Sequence, residues 1–193
     1  KPFDGGFNII HVKDAKGNDL AFKINQTMMR IELPKPLASG KKFQFQIKWW
    51  YNINNHVPQR DRSGYEHFDV DGNNLYVIAQ FYPRLAVYNN VEGWQNLQFW
   101  GRSEFALEFG DFKVNITTPK DHILNATGVL TNAKKVLTKT QLERLEAAKL
   151  SFDKPVIIVT QDEAIEAEKK NSTETKTWSF DAKNVRDFAF ASS

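Results

Sequence analysis

The chain contains no cysteine, which excludes a disulfide framework, a thiolate metal site and a cysteine nucleophile. It has no apolar run near the ~20 residues that cross a bilayer as a helix, so no membrane span is expected. The N-terminus, KPFDGG, lacks the charged-then-apolar shape of a signal peptide, and any export signal is expected outside this chain. Charge of one sign is also missing: 26 Lys plus Arg stand against 23 Asp plus Glu, scattered without basic tracts. Nucleic acid is therefore not an expected partner.

Several catalytic signatures are absent too. The four histidines, His11, His56, His67 and His122, form neither H-E-x-x-H nor H-x-H, so no helix can offer two imidazoles to zinc. No serine stands in G-x-S-x-G and no glycines form a phosphate cradle. HFDVDGNN supplies oxygens at Asp69, Asp71, Asn73 and Asn74, but Gly72 comes fourth after Asp69, where a calcium loop needs its glycine sixth. The stretch reads instead as a turn at Asp71 and Gly72 that enters a strand. Glu104 and Glu108 share one solvent face of a strand, whereas a hydrolytic carboxylate pair converges across a cleft.

What is present is alternation. In KKFQFQIKWWYNI, Phe43, Phe45, Ile47, Trp49 and Tyr51 fall on one face and Lys42, Gln44, Gln46 and Lys48 on the other, the pattern of a half-buried strand. It leaves Trp50 pointing away from the core. SEFALEFGDFKVNITT predicts a hairpin turning at Gly110 and Asp111, pairing Phe109 with Phe112, Leu107 with Val114 and Phe105 with Ile116. Shorter strands are expected in FNIIHV, LAFKI, MMRIEL, LYVIAQFY, PVIIV, KTWSF and VRDFAFA. Two short helices follow in the C-terminal third: TKTQLERLEAAKL, with a capping box from Thr140 to Glu143, and VTQDEAIEAEKK, with one from Thr160 to Glu163. Since 41% of the 193 residues are apolar, the chain can bury a real core. Many strands followed by few helices predict a mainly β, antiparallel sandwich occupying 1–193 as a single domain.

AQFYPRLAVYNNVEGWQ, residues 79 to 95, is rich in aromatics and amides but holds no nucleophile. Together with FWGRSEFALEFGDFKVNITTPKDHILNATGVLTN and TWSFDAKNVRDFAFASS, it resembles the N-terminal β-domain of bacterial zinc metallopeptidases of the aminopeptidase N family. The likeness covers roughly residues 43 to 193 and is most specific across 79–131 and 177–193.

That resemblance implies a non-catalytic front piece of a zinc-dependent aminopeptidase. Its partners are then the catalytic domain of the same polypeptide, expected after Ser193, and a peptide substrate. The fragment itself carries no cofactor and no metal ligand; zinc belongs to the parent enzyme. Family members carry a Thr-Gln-x-Glu type segment into the substrate cleft, and AQFY corresponds to it here. The implied substrate-binding residues are Gln80, Tyr82, Pro83 and Arg84, with Gln80 matching the family's glutamine and Tyr82 standing where an acid or amide is usual. A tyrosine there walls the pocket and donates one hydrogen bond, and Pro83 stiffens the turn. The resemblance also implies the bacterial envelope or export as the cell address. Two rivals stay open: a free-standing carbohydrate-binding or adhesive sandwich using Trp50, Trp94 and Trp100, and a docking module in a peptidase-like protein that has lost its zinc site.

Overall fold

A computed structural model describes residues 3–59, 61–101, 106–169 and 172–193. In chain order the elements are β1 (Asn8–Asp14), β2 (Phe22–Asn25), β3 (Met28–Ile31), β4 (Phe45–Trp50), α1 (His56–Gln59), β5 (Gly64–Phe68), β6 (Asn73–Ile78), β7 (Tyr88–Asn89) and β8 (Gly93–Trp94). There follow β9 (Gly110–Pro119), β10 (Leu124–Ala126), β11 (Val129–Leu130), α2 (Ala133–Val136), α3 (Lys139–Lys149), α4 (Gln161–Glu168), β12 (Thr175–Val185) and β13 (Phe190–Ser192). The fold is mainly β, and every strand ladder is antiparallel. The residues gather into two compact units, Lys1–Asn54 with Arg84–Glu108 and Asn55–Pro83 with Phe109–Ser193.

In the first unit β1 pairs with β4 from Asp14↔Phe45 to Asn8↔Trp50. Ile47 and Trp49 turn inward while Trp50 stays exposed, as the alternation predicts. Phe7 closes this face edge-on to Trp49 and Tyr51. β2 and β3 form a hairpin turning through Gln26 and Thr27, and Gln98 clasps that turn: its Oε1 accepts from Thr27 N and Oγ1, and its Nε2 donates to Asn25 O. The small β7–β8 hairpin is nucleated by Asn89, whose Oδ1 accepts from the amides of Val91 and Glu92.

The second unit holds two sheets, ordered β10-β13-β6-β5 and β11-β12-β9. Its core is Leu124, Trp178, Phe180, Ala182 and Phe188, with Phe112, Val114 and Ile116 packed against it. β9 alternates along its whole length, and Phe112, Val114 and Ile116 lie inward as the sequence predicts. Their partners are Ala182, Phe180 and Trp178 of β12, not the preceding segment. This corrects the predicted hairpin. Gly110 is the first residue of β9, opposite Val185, and lacks the positive φ that a glycine-first two-residue turn demands. Phe109 is exposed beneath the Arg186 guanidinium. Glu104 and Phe105 fall outside the described residues.

The loop Asp69–Gly72 between β5 and β6 is a turn, with Gly72 N donating to Phe68 O and Asn73 N to Asp71 Oδ1. PVIIV forms no strand; its Ile158 carbonyl accepts from Arg144 Nη1 instead. α3 is capped by Thr138 and Gln141 rather than by Thr140 and Glu143: the box closes two residues earlier. The expected Thr160 and Glu163 box is present on α4. Arg144 then ties α3 to α4 through Glu163, 2.6 Å away, and the Thr160 amide and this guanidinium hold that carboxyl below its usual range.

Candidate functional site

β6 delivers the segment that the sequence singles out. Beyond Ile78 the ladder gives way to a side-chain clamp: Ser63 Oγ accepts from Ala79 N and donates to Ala79 O, both at 3.0 Å. Gln80 then adopts φ 55°. The left-handed region costs a non-glycine residue about 1–2 kcal/mol, so it persists only where its neighbours dictate it. Here they do. Phe81 and Tyr82 stack edge to face at 5.1 Å, and both pack on the core, Phe81 against Phe190 at 5.3 Å and Tyr82 against Phe112 at 5.8 Å. Gln80 thus turns the chain directly before two residues that are both packed on the core.

The four predicted site residues are placed differently. Gln80 is exposed, while Tyr82, Pro83 and Arg84 are half-buried. Gln80, Tyr82 and Pro83 belong to the second unit and Arg84 to the first. The Tyr82 hydroxyl donates to Asp187 Oδ1 at 2.7 Å, an oxygen that also accepts from the Phe188 amide. Its single proton is therefore engaged within the protein. Hydrogen bonds to charged groups are worth about 1.5–3 kcal/mol, and Tyr82→Phe is expected to lower the unfolding free energy in urea by about 1.5 kcal/mol. Unchanged stability would show that Asp187 does not hold the ring.

Ser63, Asp187 and Phe190 shape this segment and were not foreseen in the sequence. Asp187 lies 105 residues from Tyr82, and no local pattern marks it.

The histidines stand apart, on β1, on α1, on β5 and in the β9–β10 turn. Among the described residues no three of His, Asp and Glu are grouped to hold a metal ion. His67 bonds Asn74 Oδ1 through Nδ1.

The first unit offers a different surface. Tyr88 and Trp94 face each other across β7 and β8 with ring centroids 5.2 Å apart, and both are exposed. Trp50 and Trp100 are exposed as well, as are Leu85, Val91 and Leu97 of the same stretch. A groove of about 300 Å³ lined by Asp14–Gly17 and Gln44–Gln46 is polar and shallow.

Comparison with protein-family profiles, curated proteins and solved structures found no match.

Proposed function

We propose that this chain is the non-catalytic N-terminal β-domain of a bacterial, exported zinc aminopeptidase, a sandwich that packs on the catalytic domain and lines its substrate cleft. The observation that carries the reading is Gln80: exposed, left-handed, and fixed by two core-anchored aromatics at the end of a strand. Such a residue is presented rather than merely tolerated, and its amide can accept from a substrate's ammonium. The resemblance of residues 79–131 and 177–193 to that family supports the same assignment. Exposed Leu85, Val91, Leu97 and Trp100 suit burial against another domain. Zinc, which polarises the scissile carbonyl and activates water, would be held by the catalytic domain, and this chain's residues would bind and orient the peptide's amino end.

In the enzyme that carries this chain, Gln80→Ala is expected to raise KM for an aminoacyl anilide about tenfold, the loss of one charge-assisted hydrogen bond, with a smaller change in kcat. An unchanged KM would remove Gln80 from the site. Stoichiometric zinc uptake or hydrolysis by the purified 193-residue chain would overturn the whole reading.

The exposed Tyr88–Trp94 pair favours one rival, a carbohydrate-binding sandwich, because sugars stack on such rings. Glycan binding that Trp94→Ala abolishes, with no H-E-x-x-H motif encoded in the same gene, would select it.

A further inference from the structure

The turn between β9 and β10 brings together groups that the aminopeptidase reading does not use. His122 Nδ1 lies 2.9 Å from Ser192 Oγ, and Ser192, on β13, is only 3% exposed. Next to this contact Ile123 N donates to Ser193 O at 2.8 Å and Ser193 N donates to Ile123 O at 3.1 Å. The imidazole also lies 6.0 Å from the Tyr76 ring on β6. The charged groups facing it are Asp121 beside it and Lys176 from β12, while Lys120 is paired with Glu174. Although the residue types invite comparison with a hydrolytic triad, a serine this deeply buried cannot meet a substrate.

The position of β13 gives the contact its importance. β13 lies between β10 and β6 in the sheet, with Phe190 opposite Ile78. Phe190 also supports Phe81, and Asp187, just before β13, holds the Tyr82 hydroxyl. Residues 79–83 are thus anchored in part through this strand and the residues that lead into it, alongside the Ser63 clamp and Phe112.

We infer that His122 is an acid-sensitive latch on β13: neutral, it accepts the Ser192 hydroxyl's hydrogen bond and packs on Tyr76; protonated, it loosens β13 and with it residues 79–83. In the neutral form with hydrogen on Nε2, Nδ1 is the acceptor. In imidazolium both nitrogens are donors, so the bond must reverse and a partly desolvated cation then faces Lys176. Asp121 offsets part of that penalty.

The sign follows from burial, which pushes the His122 imidazole below its ordinary value, with Lys176 adding to the effect and Asp121 opposing it. The loosened state takes up its proton at about pH 6.5, above the closed state. Stability is therefore full above about pH 6.5 and falls as pH drops through that value toward the folded one. The paired carboxyls of Asp111, Glu163 and Glu174 are all held below their usual range, so their own losses come at lower pH and the two windows separate.

The inference concerns β13 alone and stands whether or not the chain serves a peptidase. Hydrogen exchange on the whole chain tests it. Corrected for intrinsic rates, protection of the Ser193 amide is expected to fall at least about threefold between roughly pH 7 and pH 5.5, relative to amides in the middle of β12. His122→Asn, whose amide can stand in for Nδ1 but does not titrate, is expected to abolish that dependence. Equal dependence in the variant would overturn the latch. Should the variant fail to fold, NMR titration of the His122 ring in the unaltered chain decides: a midpoint at or above about 6.5 overturns it, and one below supports it.

Discussion

Trp178→Ala is expected to lose about 3–5 kcal/mol of stability, enough to unfold the second unit under conditions where the parent chain is folded. The side chain is 1% exposed, stands opposite Ile116 in the β9–β12 ladder, and joins Leu124, Phe180 and Phe188 in the core. Removing the indole leaves a cavity between two long strands whose ladder hydrogen bonds resist collapse around it. Since a domain's total stability is only about 5–15 kcal/mol, the loss would consume a large part of it. Trp178→Phe should behave differently. The indole Nε1–H has no hydrogen-bond partner among the described residues, and an unpaired buried donor costs about 1–3 kcal/mol. The smaller ring removes that penalty and sacrifices some packing, for an expected change within about 1.5 kcal/mol. Urea denaturation of both variants separates the cases; equal losses would mean that packing at Trp178 is not what holds the core.

The second large effect is a backbone one. Gly128, in the link between β10 and β11, has φ +93°, and a Cβ added there would lie 2.6 Å from the Asp181 carbonyl oxygen and 2.7 Å from the Ala182 Cβ. The left-handed conformation costs a side-chain-bearing residue about 1–2 kcal/mol, and overpacking a filled site about 1–3 more. Gly128→Ala is therefore expected to destabilise by about 3 kcal/mol or more. Gly110→Ala is the matched control. Its Cβ would meet nothing within 4 Å and its φ is not positive. Alanine inside a strand is then neutral or up to about 1 kcal/mol better than glycine. A Gly110→Ala variant as damaged as Gly128→Ala would return Gly110 to the apex of a hairpin, so one thermal melt of each protein tests both the clash and the strand register.

That register marks where sequence reasoning stopped. Alternation revealed which side chains of β9 face inward, and Ile47 and Trp49 of β4, because a strand with one buried face must repeat every two residues; Phe45, expected on that same face, is exposed at the strand's start. It carried no information on who pairs with whom. Phe109 and Phe112 looked like natural neighbours across a short turn, yet the true partner of Phe112 is Ala182. PVIIV illustrates a related limit: β-branched residues fit a sheet, but that stretch joins no ladder among the described residues, and α3 claims one of its carbonyls through Arg144. On α3 two overlapping box patterns compete, and the one starting at Thr138 closes.

Of the candidate site, the sequence indicated the segment but not its mechanics. Gln80's bend sits directly before Phe81 and Tyr82, both packed on the core, a tertiary arrangement that no local spacing records. The engagement of Tyr82 by Asp187 is likewise visible only once β13 is in place beside β6.

The β9–β12 ribbon also sets a timetable. Thr117 and Thr177, whose hydroxyls meet across it, are 60 residues apart in the chain. Synthesis at roughly 5–20 residues per second puts about 3–12 s between the emergence of the two strands. Throughout that interval Phe112, Val114 and Ile116 have no partner strand, and closing so long a loop adds its own entropic barrier. α3 and α4, each with a capping box in its own first turn, lie wholly inside the loop and can form early, shortening the chain that must be gathered. The nascent protein's most aggregation-prone moment thus belongs to β9, which in the finished sheet is still an edge strand paired only with β12.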